Sequence, residues 1–138
     1  MILAALYLQL HGLSYHMGQS YTNDDGKAEQ YNALNLGAGL RAETSPDFAV
    51  QAGFYKNSVR RNSQYIAADW TPLSFYGLKA GAFAGVVNGY PRFNEGGIAP
   101  AAGLSLRKPT DWGNVVIRFI PPCPKTVGVF AIEIGMRL

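Results

Sequence analysis

The sequence predicts an all-β protein: a single domain over residues 1–138 folded as one closed, up-and-down antiparallel barrel of about eight strands. Three observations predict it. Apolar and polar residues alternate with a period of two in one segment after another. Sixteen glycines and eight prolines punctuate the chain at short intervals, which suits strands and turns better than long helices. The alternating segments run roughly ten residues and are joined by short connections. Closing such a sheet removes the edges that would invite aggregation. An open two-sheet sandwich is the structural alternative.

The first strand is Leu6–His16, with Leu6, Leu8 and Leu10 on one face and Tyr7, Gln9 and His11 on the other. A polar loop, Gln19–Gln30, follows. Its Asn23-Asp24-Asp25-Gly26 lacks the alternating ligand spacing of a calcium loop and reads as a turn. The second strand, Ala33–Glu43, alternates Leu34, Leu36, Ala38 and Leu40 with Asn35, Gly37, Gly39 and Arg41. Thr44-Ser45-Pro46-Asp47 turns into the third, Phe48–Ser58. Arg60-Arg61-Asn62 leads to the fourth, Ser63–Thr71, and Pro72–Gly77 closes that hairpin. The remaining strands are Leu78–Val87, Ile98–Arg107, Asn114–Ile120 and Val127–Leu138.

Hydrophobic residues make up 48% of the chain and charged residues 15%, ample for a core and thin for a water-facing surface. The net charge of +3 is mild, and the basic residues do not line a helix face, so no nucleic-acid partner is expected. Cys123 is the only cysteine, which excludes an intramolecular disulfide. Within Pro121-Pro122-Cys123-Pro124 it reads as a loop thiol rather than a nucleophile. Two histidines without clustered acidic partners do not make a metal site, and His11, mid-strand, reads as a packed or exposed residue. No cofactor is expected. Met1–Leu6 is apolar, but no charged segment precedes it and no small-residue cleavage site follows. It therefore reads as the approach to the first strand, not as a secretory signal.

Which face lies inside decides how the protein lives. One face is aliphatic; the other carries Gly, Ala and Tyr with Arg41, Asp69, Arg107, Arg118, Glu133 and Arg137. In a soluble barrel the aliphatic face fills the lumen. In an outer-membrane barrel it meets lipid and the charges pair inside. A lipid-facing Arg near the midplane costs about 2–4 kcal/mol. The last strand, with Phe130, Ile132, Ile134, Met136 and Leu138 in alternation, favours the membrane arrangement. The missing export signal favours the soluble one and tips the expectation that way.

In order, the chain carries Leu6-Tyr7, Ser14-Tyr15-His16, Tyr31-Asn32, Gly37-Ala38-Gly39-Leu40, Phe54-Tyr55-Lys56-Asn57-Ser58, Ile120-Pro121 and Met136-Arg137. In these it resembles the lipid A palmitoyltransferase type of eight-stranded outer-membrane barrel, over nearly all its length. That family transfers a palmitoyl chain from a phospholipid to lipid A and is known for a His, an Asp and a Ser near one rim. The resemblance places His16 and Ser58 at the His and Ser positions, as candidate catalytic residues. Asn57 stands where the Asp is expected, and an amide cannot act as a carboxylate. The amphipathic helix preceding the family's barrel is absent as well. In an up-and-down barrel His16 and Ser58 end at the same rim, with Arg60, Arg61 and Arg92 in loops beside them. The chain is also similar to small barrels without signal peptides that bacteriophages encode.

Three functions follow as expectations. The first is a non-enzymatic structural or adaptor barrel in a phage virion (tail or capsid accessory), made in the host cytoplasm. Its partners would be other virion proteins or copies of itself, with lipid as a further partner. The second is a bacterial outer-membrane barrel related to the palmitoyltransferase. The third is a barrel binding a hydrophobic ligand, with room left by the alanines and glycines of the fifth and sixth strands.

Overall fold

A computed structural model describes residues 5–17, 20–22, 25–91, 93–122 and 128–138. The expectations for Met1–Ala4, Asn23, Asp24, Arg92 and Cys123 lie outside these residues. The chain is all-β and closes as expected. Strand β1 (Ala5–His16) is followed by a small separate hairpin, β2 (Ser20–Thr22) and β3 (Ala28–Gln30). The barrel continues through β4 (Leu34–Glu43), β5 (Phe48–Lys56), β6 (Asn62–Phe75), β7 (Leu78–Val87), β8 (Ala99–Pro109), β9 (Gly113–Ile120) and β10 (Val129–Arg137). Every sequential neighbour pairs antiparallel, and β1 pairs with both β4 and β10 to close the ring of eight. This excludes the open sandwich.

The two ends of the barrel differ. Connections 44–47, 76–77 and 110–112 are short turns. The other end carries the hairpin β2–β3, the turn 57–61, residues 88–98 with a short 3₁₀ turn at Asn94–Gly96, and the connection after Ile120. The tightest turn is Tyr76-Gly77, both in the left-handed region at φ 49° and 75°, the geometry of a two-residue hairpin loop. Here the structure corrects the fourth strand. Pro72 does not end it: a register shift between Trp70 and Leu73 absorbs the proline, and pairing resumes to Phe75. Proline is tolerated at such a bulge, where it need not donate to the ladder.

A second irregularity sits in β1. Its register slips after His11 against both β10 and β4. Up to that point Tyr7, Gln9 and His11 face the lumen; beyond it Leu13 and Tyr15 are exposed and Ser14 bonds the buried Asn35 inside. Against β10, β1 advances three residues (His11 to Ser14) while its partner advances two; against β4 it advances two (His11 to Leu13) while its partner advances three, and this offset around Gly12 exchanges the two faces of β1. His16 shares sequence parity with the outward Leu6, Leu8 and Leu10, yet joins the inner side.

The interior is polar and the exterior apolar. Gln9, Arg41, Glu43, Gln51, Asp69, Ser105, Arg107, Asn114 and Glu133 are buried. Leu10, Leu36, Leu40, Phe54, Ile66, Trp70, Leu104, Ile117, Ile132 and Ile134 are exposed. The soluble arrangement expected from the N-terminus, with aliphatic side chains filling the lumen, is therefore not the one adopted. The reason is charge pairing. Arg41, Arg107 and Arg118 find Glu43, Asp69 and Glu133 inside the ring. Turned outward, they would leave the aliphatic set to fill the lumen.

Candidate functional site

The candidate site is the lumen and its mouth at the loop-bearing end. Arg118 of β9 organises the middle. Its Nη2 donates to Asp69 Oδ2 at 2.9 Å, Nη1 to Ser105 Oγ at 3.1 Å and Nε to Glu133 Oε2 at 3.4 Å. Its guanidinium also lies 4.9 Å from the centroid of the Phe83 ring, a cation–π contact. Asp69 pairs with Arg41 on its other side and accepts from Ser105 Oγ at 3.0 Å. Nearer the short-turn end, Glu43 lies between Arg107 (3.4 Å) and Arg41 (3.8 Å). Three guanidinium groups thus face three carboxylates. This matters because a buried charge without a partner is several kcal/mol more costly than a paired one.

His11 belongs to the same network. Its Nδ1 lies 3.3 Å from Glu133 Oε2 and its Nε2 2.7 Å from Tyr65 Oη, while Gln51 Nε2 donates to that Tyr65 oxygen at 2.7 Å. Gln9 Nε2 donates to Glu133 at 2.9 Å. With a neutral His11 ring carrying its proton on Nδ1, the bonds run from Gln51 to Tyr65, from Tyr65 to His11 Nε2 and from His11 Nδ1–H to Glu133. His11 is therefore a packed, hydrogen-bonded residue, one of the two roles the sequence allows it. Tyr65 fits because two strands carry no side chain beneath it. A Cβ at Gly39 would stand 2.6 Å from its Oη, and one at Gly53 3.0 Å.

Above this floor the lumen opens as a vestibule of about 900 Å³. Its inner wall combines small residues (Ala67, Gly85, Ala99, Ala101, Ala131) with Tyr55, Phe83 and Tyr90. Tyr90 enters from the 88–98 connection and its hydroxyl meets that of Tyr55 at 2.8 Å. Burial pushes the Tyr90 hydroxyl well above its ordinary range, and the neighbouring Tyr55 adds to the shift. Below the floor, Gln9, Arg41, Gln51, Asp69 and Asn114 are fully buried, so the vestibule is blind.

His16 and Ser58 both line the mouth of this vestibule, so the structure brings the two candidates to one rim. It does not join them. The His16 ring stacks on Tyr31 with centroids 4.2 Å apart and planes 8° from parallel. The Ser58 carbonyl accepts from Asn32 N at 2.8 Å. Between them in role, Asn57 is fully committed to the rim's architecture. Its Nδ2 donates to Ser63 Oγ and to the Gly89 carbonyl, both at 2.9 Å. Its Oδ1 accepts from Val59 N at 3.0 Å and Arg61 N at 2.9 Å. Two donors and two acceptors are what an amide offers and a carboxylate does not. Arg60, at φ 63°, donates to Gln30 O at 2.7 Å and pairs with Glu29 at 3.1 Å, tying the β2–β3 hairpin to the β5–β6 turn. Among the described residues no three His, Cys, Asp or Glu side chains cluster as metal ligands.

The sequence sets Arg118 and Glu133 mid-strand on neighbouring strands, to face either water or each other inside, and the structure pairs them inside; it singles out neither Gln51 and Tyr65 nor the contact of Arg118 with Asp69. The charged face read from the strands sets four arginines (Arg41, Arg107, Arg118, Arg137) against Asp69 and Glu133; the structure brings Glu43 into the pairs and leaves Arg137 exposed at the end of β10.

No protein-family model matches the chain, and no curated protein matches it. Solved structures do. One, described as the de novo design of transmembrane β-barrels, superposes with a TM-score of 0.65 at 13% identity, over all of this chain and 98% of that one. The NMR solution structure of the de novo designed barrel TMB2.3 superposes with a TM-score of 0.65 at 16% identity, over 97% of this chain and 94% of that one. At these identities the similarity establishes the fold, an eight-stranded closed barrel. The barrel that the palmitoyltransferase resemblance implies is present. Neither that family nor the phage barrels gains support from the comparisons.

Proposed function

We propose that the protein is an outer-membrane-type transmembrane β-barrel, with its short turns on the inner side and its vestibule open to the outside. The observation that carries this reading is the inversion of its faces: paired charges buried in the lumen, an aliphatic band outside. In water such a wall would far exceed the apolar patches that monomers expose. Seven of the eight barrel strands have 9 to 14 residues, the length of a tilted span, about 9–11, and β9 has 8. Exposed aromatics stand near both ends: Phe48, Phe75, Tyr76 and Trp112 toward the short turns, Tyr15, Phe54 and Phe130 toward the loops. Short turns at one end and longer connections at the other is also the pattern of such barrels. The designed barrels of similar fold are described as transmembrane.

A second reading, a barrel that holds a hydrophobic ligand, is favoured by one observation. The vestibule is walled by alanine, glycine and aromatic side chains rather than filled by Leu, Ile or Phe. Mass spectrometry of the natively purified protein would detect such a ligand. A virion role rested on the soluble arrangement, and no observation now supports it.

The test is refolding. The chain is expected to precipitate in plain buffer and to fold in micelles or vesicles into a β-rich species that resists SDS until heated. A monomeric, folded protein in detergent-free buffer would overturn the membrane reading.

A further inference from the structure

We infer that the outer wall around β7 holds an anionic phospholipid, one acyl chain lying in a trough and the headgroup phosphate on Lys108. This rests on the membrane reading and goes beyond it, from a general lipid-facing wall to one selective position. The trough has a volume of about 650 Å³ and an almost wholly apolar lining. Its depth comes from Ala80 and Ala82 of β7, which lie low between Trp70 and Leu73 of β6 on one side and Leu104 and Leu106 of β8 on the other. Flexible chains fill such a depression better than a flat protein face does.

The charge at its end selects the headgroup. Along β8 the outward positions run Leu104, Leu106, Lys108, and Lys108 lies beside Val115 next to the β8–β9 turn. Among the described residues it is the one outward-pointing charge at the short-turn end of the barrel strands, and it has no ion-pair partner there. Four residues of strand separate Lys108 from Leu104, roughly 13 Å. That spacing sets a phosphate at the interface while the chain beneath it passes Ala80 and reaches Trp70, which lies opposite Ala82. A lysine stem can lie along apolar surface with its ammonium at the interface.

Trp70 is the reporter. The chain has two tryptophans, so Trp112→Phe leaves Trp70 alone. The full chain in phosphatidylcholine vesicles would be titrated with phospholipid carrying dibrominated acyl chains, either phosphatidylglycerol or phosphatidylcholine, at equal mole fraction. The expected result is quenching by both, with the anionic lipid enriched about fivefold at Trp70, the factor one cation at an anionic surface is worth. Lys108→Gln should abolish the enrichment and leave the quenching by phosphatidylcholine unchanged. Ala82→Phe, which fills the trough, should also abolish it. Equal quenching by both lipids in the parent would overturn the lipid site while the membrane reading stands. Quenching by neither, with the chain sedimenting as a dimer in detergent, would put a second copy on this wall. Quenching by neither in a monomer that remains outside the vesicles would overturn the membrane reading itself.

Discussion

Arg118 Nη2 lies 2.9 Å from Asp69 Oδ2, although their strands, β9 and β6, are separated around the ring by β7 and β8. The contact crosses the lumen. It therefore braces parts of the wall that no backbone ladder connects directly.

Removing that brace leaves two carboxylates to their remaining partners. Asp69 keeps Arg41, but Glu133 keeps only His11 and Gln9. Arg118→Met is expected to lower stability by about 3–5 kcal/mol, measured by urea unfolding in vesicles. Adding Glu133→Gln should recover part of that loss. A single variant as stable as the parent would remove Arg118 from its central place.

On the outer wall the sign of a substitution depends on what the wall meets. Leu40 is exposed and lies between Leu8 and Ala52 in the ladder. Against lipid, Leu40→Arg should cost about 2–4 kcal/mol near the midplane. Against water the same change would stay within about 0.5 kcal/mol of zero. The unfolding free energy in a bilayer separates the two.

At the rim, Asn57→Asp keeps size and shape but deletes both donated bonds. Ser63 Oγ already donates to the Asn88 carbonyl at 2.6 Å, so it cannot turn its proton toward a carboxylate. A loss of about 1–3 kcal/mol is expected, with faster amide exchange across residues 57–61 and 88–89. A variant of unchanged stability would show that the bonds of Asn57 contribute little.

Tyr90 gives the rim a pH limit. Its folded-state pKa is raised, so its contribution is fully present below the unfolded value of about 10 and is lost as pH rises toward the folded one. Above that unfolded value the 88–98 connection should loosen, as followed by amide exchange. Tyr90→Phe should remove this alkaline transition.

Acyl transfer is the last expectation to test. With His16 stacked on Tyr31 and the amide of Asn57 bonding Ser63 and Gly89, no palmitoyl transfer to lipid A is expected from the parent chain. Transfer that disappears in His16→Ala and Ser58→Ala would restore the rim as an active site.

The strands were legible because their alternation is strict: Leu6, Leu8 and Leu10 against Tyr7, Gln9 and His11. The side each set faces was not, because a period of two looks the same from within and from without. Local irregularities were also hidden. Gly12 carries no side chain to break the pattern, and the slip beside it is visible only in the pairing of β1 with its neighbours. Pro72 misled in the opposite sense: it reads as an end, while the bulge between Trp70 and Leu73 lets β6 pass through it. At the site, the shared rim of His16 and Ser58 followed from topology. The true partners of each, Tyr31 and Asn32 among them, depend on how a hairpin and two loops fold over the mouth.

The seam between β1 and β10 also carries a consequence in time. Tyr7 pairs with Arg137, and Leu138 N donates to Leu6 O at 2.9 Å. The ring is thus sealed by segments at opposite ends of the described chain. A nascent chain cannot close progressively: until β10 is available, β1 and β9 each keep one open edge, and edges of this kind recruit other strands. Closure of the ring therefore waits on contacts distant in sequence, which belong to the slow class of folding reaction. During that wait an escort that shields strand edges would matter more to yield than any gain in the stability of the finished ring.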